Sequence, residues 1–152
     1  MVPNELCAVL LRYFDLLYSE QLDSLLDLFA NDVHWLIVPT ATELVGKEQL
    51  QELAANHWHA SPDRVKKLVN LFAGEEFGCL EYTSGGTVTG DADFVTTKIE
   101  ATGRRYEVSC CFVFHFGTDG KIDRVREYFD LQTVQRQLGG NLDPADQSDG
   151  RR

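Results

Sequence analysis

The sequence lacks the features of a membrane-spanning or nucleic-acid-binding protein. No stretch approaches the roughly 20 apolar residues that a helix needs to cross a bilayer. Glu5, Arg12 and Asp15 interrupt the apolar residues near the N-terminus, so no signal peptide is expected. Basic residues are also few: 14 lysines and arginines are outnumbered by 24 aspartates and glutamates, for a formal net charge of −10. We therefore expect a cytoplasmic protein that binds neither nucleic acid nor membranes.

Sequence patterns that bind metals or form disulfides are also missing. Four cysteines occur, at Cys7, Cys79, Cys110 and Cys111. None of them has C-x-x-C spacing, so free thiols are expected. His57 and His59 lie two residues apart on a predicted helix and so face different directions. Two histidines without a third ligand make a poor zinc site. No metal site is predicted, and both histidines are expected at the surface or at the rim of a pocket.

Helical periodicity dominates the first third of the chain. Apolar residues recur at helical spacing from Leu6 to Leu17 and from Leu22 to Phe29, and Asn31-Asp32 is expected to end the second helix. A short strand, His34 to Val38, is stopped by Pro39. A third helix is predicted from about Lys47 to His59, after Gly46.

Strands dominate the remainder. Four are predicted, over Val65 to Ala73, Cys79 to about Phe94, Arg104 to Phe116 and Lys121 to Phe129. The pair Gly85-Gly86 inside the second of these predicts a bulge or a sharp bend. The segment from Val95 to Gly103 is predicted to be a hairpin loop of uncertain shape, and Leu131 to Leu138 one or two helical turns.

Helices followed by long strands predict an α+β domain. We expect one domain over residues 1–140, in which a curved mixed sheet, mostly antiparallel, wraps around the N-terminal helices. Residues 141–152 form a polar tail that is expected to be disordered. The concave face of such a sheet is the expected place for a pocket.

An ionisable side chain lies on the apolar face of the last strand. Alternation places Glu127 on the same face as Val125 and Phe129. A carboxyl on an apolar face is costly unless it is paired, hydrogen-bonded or protonated. Glu127 is therefore a candidate for acid–base chemistry, and a structural ion pair across the sheet is the alternative.

Several segments together resemble the SnoaL-like branch of the nuclear transport factor 2-like superfamily, which includes polyketide cyclases and limonene epoxide hydrolase. They are Leu28–Val33, Leu44–Glu48, Gly86–Asp91, Thr102–Arg105 and Asp119–Asp130. Each is weak alone, but their order and spacing run over nearly the whole chain before the tail. The resemblance implies a cone-shaped α+β fold. It does not give the function, because one fold serves many chemistries.

The resemblance also implies roles for particular residues. Glu127 stands where epoxide hydrolase-like sequences carry the carboxylate that activates a water. Asp91 and Asp93 are the candidates for the aspartate of the middle strand, although they are equally consistent with solvated residues at a hairpin mouth. No arginine accompanies them in that strand. Trp35 and Ile37 replace the tyrosine and asparagine that hold the water, and only Trp35 can donate a hydrogen bond.

Two functions follow as hypotheses. The first is an enzyme, without a cofactor, that acts on a small hydrophobic molecule by carboxylate acid–base chemistry of the epoxide hydrolase, cyclase or isomerase type. Its catalytic residues would be Glu127, Asp91 and Asp93, and its substrate-binding residues Trp35, Ile37, Cys110, Phe112 and Val125. The second is a ligand-binding or dimerisation module of the same fold without chemistry. The resemblance also implies a homodimer formed through the outer face of the sheet.

Overall fold

The structure is a computed structural model that describes residues 2–94 and 97–139, with backbone only at residues 93–94 and 97–99. The predicted tail lies outside the described residues. Four helices are described, namely α1 (Pro3–Leu16), α2 (Leu22–Leu26), α3 (Lys47–Ala60) and α4 (Leu131–Leu138). The strands are β1 (Phe29–Ile37), β2 (Thr42–Val45), β3 (Val65–Ala73), β4 (Phe77–Thr87), β5 (Ala92–Phe94), β6 (Thr97–Ile99), β7 (Arg105–Phe116) and β8 (Ile122–Phe129).

Six strands form one curved sheet in the order β2-β1-β8-β7-β4-β3, and β5 pairs with β6 in a separate hairpin. Neighbouring strands of the sheet are antiparallel except β1 and β8, which are parallel. The predicted α+β class and the mostly antiparallel mixed sheet are confirmed. Because β8 lies between β1 and β7, it is a central strand, and its inward side chains lie next to those of both neighbouring strands.

The core lies between the inner face of the sheet and helices α1 and α3. Helix α1 buries residues at helical spacing, among them Leu6, Leu10 and Tyr13. Along β7 every second residue is buried from Val108 to Phe116. Among the described residues, no helix is both long and apolar enough to cross a membrane.

Two element boundaries near the N-terminus differ from the prediction. The second helix ends at Leu26, and β1 begins at Phe29 rather than at His34. The backbone N–H of Ile122 donates to the carbonyl of Leu28 at 2.9 Å, and Phe29 pairs with Ile122. Pairing with β8 therefore overrides the helical periodicity of this segment. Strand β2 was not predicted, although its buried Thr42 and Leu44 alternate with exposed residues.

The predicted long second strand is shorter than expected. It ends at Thr87, because the N–H groups of Thr89 and Gly90 donate to the carbonyl of Ala60, at 2.9 and 3.2 Å, instead of to a neighbouring strand. The bulge predicted at Gly85-Gly86 is wrong, since β4 pairs with β7 without interruption up to Thr87. A Cβ atom at Gly86 would lie 2.4 Å from Ser61 Oγ, so close approach explains this glycine.

Gly90 is expected to tolerate no side chain. A Cβ atom there would lie 2.3 Å from the carbonyl oxygen of His59, a backbone atom that cannot rotate away. We predict that Gly90→Ala lowers the free energy of unfolding by ~1–3 kcal/mol, the usual cost of overpacking. Urea denaturation measures the change. Gly74→Ala is the control, because the nearest atom to its Cβ would be 3.8 Å away. Equal stability of the two variants would contradict the prediction.

Candidate functional site

A large cavity opens between the inner face of the sheet and the three N-terminal helices. Its volume is about 500 Å³, and most of its lining is apolar. Helices α1, α2 and α3 all contribute to its wall, and its lining includes Leu17, Leu22, Leu25, Leu50 and Trp58. We call this space the main cavity. Its size and its apolar wall are typical of small-molecule sites.

Glu127 lies on the sheet side of the main cavity. Its neighbours in register are Ile37 of β1 and Phe112 of β7. One carboxyl oxygen accepts a hydrogen bond from Trp35 Nε1 at 2.9 Å. Glu127 remains partly accessible, as expected for a group that lines a cavity. The carboxyl is thus fixed by one donor at a position that lines the cavity.

Burial raises the pKa of Glu127 to about 7, because a carboxylate loses hydration inside the protein. The hydrogen bond from Trp35 and the positive charge of Arg64 act in the opposite direction and favour the ionised form. A group with this pKa is present in both protonation states at neutral pH. It can therefore either accept or donate a proton there.

Arg64 supplies the positive charge in this region. It lies in the connection before β3, and it lines the main cavity. Its guanidinium stacks on the Tyr18 ring, with Cζ 3.7 Å from the ring centre, and Nη2 donates to the Tyr18 hydroxyl at 2.6 Å. Arg64 Nε is buried and has no hydrogen-bond partner among the described residues.

Tyr18 is held in an unusual backbone conformation. Its φ angle is +67°, in the left-handed region that bulky residues rarely adopt. The hydroxyl of Tyr18 lies 2.8 Å from Ser84 Oγ on β4, in addition to its contact with Arg64. Strained residues are frequent at functional sites, where the surrounding structure holds them in place.

A second cavity of about 140 Å³ adjoins the main one. Both are lined by the same five residues, namely Tyr18, His57, Arg64, Tyr82 and Glu127. We call these five residues the junction. Val134 and Leu138 of α4 also line the second cavity. The ionisable groups of the site therefore lie where the two cavities meet.

The position of α4 depends on its N-cap. The Asp130 side chain accepts hydrogen bonds from the backbone N–H groups of Gln132 and Thr133, at 3.0 and 3.3 Å. Asp130 directly follows the last residue of β8 and is the N-cap of α4. Capping immediately after β8 turns the chain so that α4 packs beside β7.

His57 lies at the junction and not at the rim where it was expected. Burial, and secondarily the charge of Arg64, keep the pKa of His57 well below its usual value. The imidazole is therefore neutral at neutral pH. His59, two residues later, is exposed. No group of three or more histidine, cysteine or acidic side chains that could hold a metal ion occurs within the described part of the chain.

The predicted site residues fall into three groups. Trp35, Phe112 and Glu127 line the main cavity, and Cys110 lines the second. Ile37 and Val125 are buried in the core and line neither cavity.

Of the two predicted aspartates, the structure describes the side chain of Asp91 alone. Asp91 is exposed and accepts a hydrogen bond from the backbone N–H of Ala101. It lines neither cavity, because β4 ends before it and the chain leaves the sheet. The side chain of Asp93 lies outside the described part of the structure.

Sequence reasoning missed Arg64, Tyr18 and Tyr82. Strand alternation gives no signal for Arg64, because Arg64 lies in the connection before β3 and not in the strand itself. Tyr18 could not have been found this way, since it lies in a connection between helices.

A curved sheet closed by helices, with a buried carboxyl beside an apolar cavity, defines a cone-shaped α+β domain that can hold a small molecule. The chain matches the SnoaL-like domain over residues 10–125. It therefore belongs to the SnoaL-like domain family. No curated protein shows a significant match to the chain.

Solved structures support the same fold. A candidate SnoaL-like polyketide cyclase from a Jannaschia species has a TM-score of 0.78 at 16% identity, covering 92% of this chain and 95% of its own. A candidate polyketide cyclase from a Silicibacter species has a TM-score of 0.74 at 23% identity, covering 92% and 99%. An epoxide hydrolase of Mycobacterium tuberculosis, similar to limonene epoxide hydrolase, has a TM-score of 0.66 at 18% identity, covering 90% of both chains.

The raised pKa of Glu127 predicts a pH-dependent cost to stability. The folded protein binds a proton at Glu127 up to a pKa of about 7, whereas the usual value is 4.5. Stability therefore falls as pH rises through this window, and the cost is complete above it. At 1.36 kcal/mol per unit, the cost is on the order of 3 kcal/mol.

Glu127→Gln removes this ionisation and still offers an oxygen to Trp35. We predict that the variant gains ~2–3 kcal/mol relative to the wild type between pH 5 and pH 8.5, measured by urea denaturation at each pH. Glu52→Gln, at an exposed position of α3, is the control. A difference between variant and wild type that stays constant with pH would contradict the prediction.

Proposed function

We propose that the protein is an enzyme that uses Glu127 as a general acid and base on a small hydrophobic substrate bound in the main cavity. The observation that carries this proposal is the Glu127 carboxyl, buried beside a 500 Å³ apolar cavity with a pKa of about 7. A general acid or base works best when its pKa lies near the operating pH.

The cavity supports a substrate of terpenoid, steroid or polyketide type. Leucine and aromatic side chains dominate its wall, so binding is driven by removal of apolar surface from water. Trp58, 45% exposed on α3, lines the cavity and marks the side from which the substrate enters. The substrate then lies between the helices and Glu127.

The proposed chemistry is proton transfer. In the ionised form, Glu127 takes a proton from a carbon beside a carbonyl group, or from a water that attacks an epoxide carbon. The carboxylic acid then returns that proton to another carbon or to the oxygen released by ring opening. No net proton is consumed in either case. These steps correspond to isomerase, cyclase or epoxide hydrolase reactions, and the names of structural relatives include candidate cyclases and an epoxide hydrolase.

A ligand-binding module without chemistry is the second candidate. It is favoured by the exposure of Asp91, which leaves Glu127 as the one described carboxyl that lines both cavities. Epoxide hydrolysis of the limonene type, as the family resemblance implies it, uses two carboxylates. A bound ligand that is never turned over would favour the module.

Three further proposals follow from the sequence. We propose a cytoplasmic protein, a single domain over residues 1–140, and a homodimer formed through the outer face of the sheet. Phe72 and Phe77 support the homodimer, because their side chains are 61% and 51% exposed. Exposed aromatic side chains of this size are typical of protein interfaces.

Substitution of Glu127 tests the catalytic proposal. A screen over epoxides and enones first identifies a substrate that the wild type converts. Glu127→Gln is then expected to lose at least ~10²-fold in kcat/KM, the usual contribution of a general acid or base. Glu52→Gln is expected to retain full activity. Unchanged turnover by Glu127→Gln would rule out Glu127 as the catalytic residue.

Trp35 is proposed as the positioning residue for Glu127. Its N–H stabilises the ionised carboxyl, so Trp35→Phe is expected to raise the pKa of Glu127 further. The midpoint of the pH profile of kcat/KM should therefore move to higher pH, whichever protonation state is active. Loss of packing alone would lower the rate at every pH and leave the midpoint in place.

A further inference from the structure

The junction contains Arg64, a partly buried cation that has no anionic partner among the described side chains. Among the side chains that the structure describes, the ion pairs within 4.0 Å are His34–Glu43 and His115–Asp123. Arg64 belongs to neither. The charge of Glu127 acts on Arg64, but no oxygen of that carboxyl lies within ion-pair distance. A buried charge that has no counter-ion normally costs several kcal/mol.

Most of the hydrogen-bonding capacity of Arg64 is also unused. A guanidinium carries five N–H donors, arranged for two-point contact with a carboxylate. Among the described residues, Arg64 makes one hydrogen bond, from Nη2 to the Tyr18 hydroxyl. Nε is buried without a partner, and no bond is made by Nη1. Nε and Nη1 of Arg64 thus have no acceptor among the described residues and can donate to a ligand at the junction.

The surroundings hold Arg64 in place rather than neutralise it. The connection that carries it is anchored by Asp63, whose carboxyl accepts from the backbone N–H of Thr87 at 2.8 Å and from Ser61 Oγ at 3.2 Å. The Tyr18 ring supports the guanidinium from one side. Tyrosine hydroxyls and a neutral His57 complete the polar groups of the junction.

We propose that Arg64 binds a carboxylate group of the ligand, so that the substrate class is a hydrophobic carboxylic acid. The apolar body of the ligand fills the main cavity, and its carboxylate lies at the junction, where the second cavity provides room for it. The inference rests on the proposed function for the location of the substrate, and it specifies the substrate class.

A carboxylate fits the junction better than a more highly charged group. One negative charge neutralises Arg64, whereas a phosphate monoester would bring nearly two charges close to Glu127. Repulsion between the second phosphate charge and Glu127 would oppose both the binding of the ligand and the ionisation of Glu127. The planar carboxylate also matches the paired donors of the guanidinium.

The test compares two ligands that differ only in charge. The wild-type protein is titrated by calorimetry with 4-phenylbutyrate and with 4-phenylbutanamide at pH 8 and low salt. Charge-assisted hydrogen bonds to a buried arginine predict binding of the carboxylate at least ~10-fold tighter than that of the amide. Equal affinities in the wild type would overturn the inference and leave the proposed function standing.

Two variants test whether Arg64 causes the tighter binding of the carboxylate than of the amide. In Arg64→Met, an apolar replacement that leaves no unsatisfied donor, the two ligands are expected to bind within about two-fold of each other. Arg105→Gln, which removes an exposed arginine of β7, should keep the wild-type preference. A retained preference in folded Arg64→Met would overturn the assignment.

Glu127→Gln separates recognition from catalysis. The substitution removes a nearby negative charge, so the carboxylate should bind at least as tightly as to the wild type. Weaker carboxylate binding in this variant would contradict the charge argument. Failure of both ligands to bind the wild type at millimolar concentration would count against this inference and the proposed function together, because the main cavity would then not hold an apolar body.

Discussion

The site depends on one constraint, a carboxyl held on the otherwise apolar inner face of a central strand. β8 lies between β1 and β7, so Glu127 is carried by a strand that is hydrogen-bonded on both sides, and its carboxyl lines the cavities on the inner face of the sheet. Trp35, on the neighbouring strand, donates the hydrogen bond that fixes the carboxyl. Protonation of Glu127, rather than an ion pair, lowers the free-energy cost of burying its carboxylate charge. A group that would be permanently charged at the surface becomes one that exchanges a proton near neutral pH.

Arg64 organises the charges of the other groups at the junction. Its field favours the ionised form of Glu127 and disfavours the protonated form of His57. At neutral pH, the junction thus combines a permanent cation, a neutral imidazole and a carboxyl that titrates. Binding of an anion at Arg64 would weaken its effect on Glu127, and the carboxyl would then hold its proton more strongly. In the proposed function, Arg64 would couple recognition of the ligand to the protonation state of Glu127.

The features predicted correctly from the sequence are those that depend on the geometry of one helix or one strand alone. Alternation placed Glu127 beside Val125 on one face of β8, and helical spacing predicted α1 and α3, because each pattern needs only local geometry. The end of β4 depends on the carbonyl of Ala60, which belongs to a distant helix. The predicted strand therefore ran on to about Phe94, whereas Asp91 lies beyond the end of β4 and is exposed, in agreement with the alternative of a solvated residue. Tyr18 and His57 escaped prediction for the same reason, since their directions are set by tertiary contacts.

Gly86 connects the fold to the site. A glycine pair in a strand predicts a bulge or a bend, yet β4 pairs with β7 through Gly85 and Gly86 without a register shift. A side chain at Gly86 would meet Ser61 Oγ at 2.4 Å, Asp63 Oδ1 at 3.1 Å and the Cα of Arg64 at 3.4 Å. The missing Cβ lets this connection lie directly on the sheet, where Asp63 bonds to Thr87. The same close approach brings Arg64 into contact with both cavities. The absence of a side chain at Gly86 thus allows Arg64 and Glu127 to line the same two cavities.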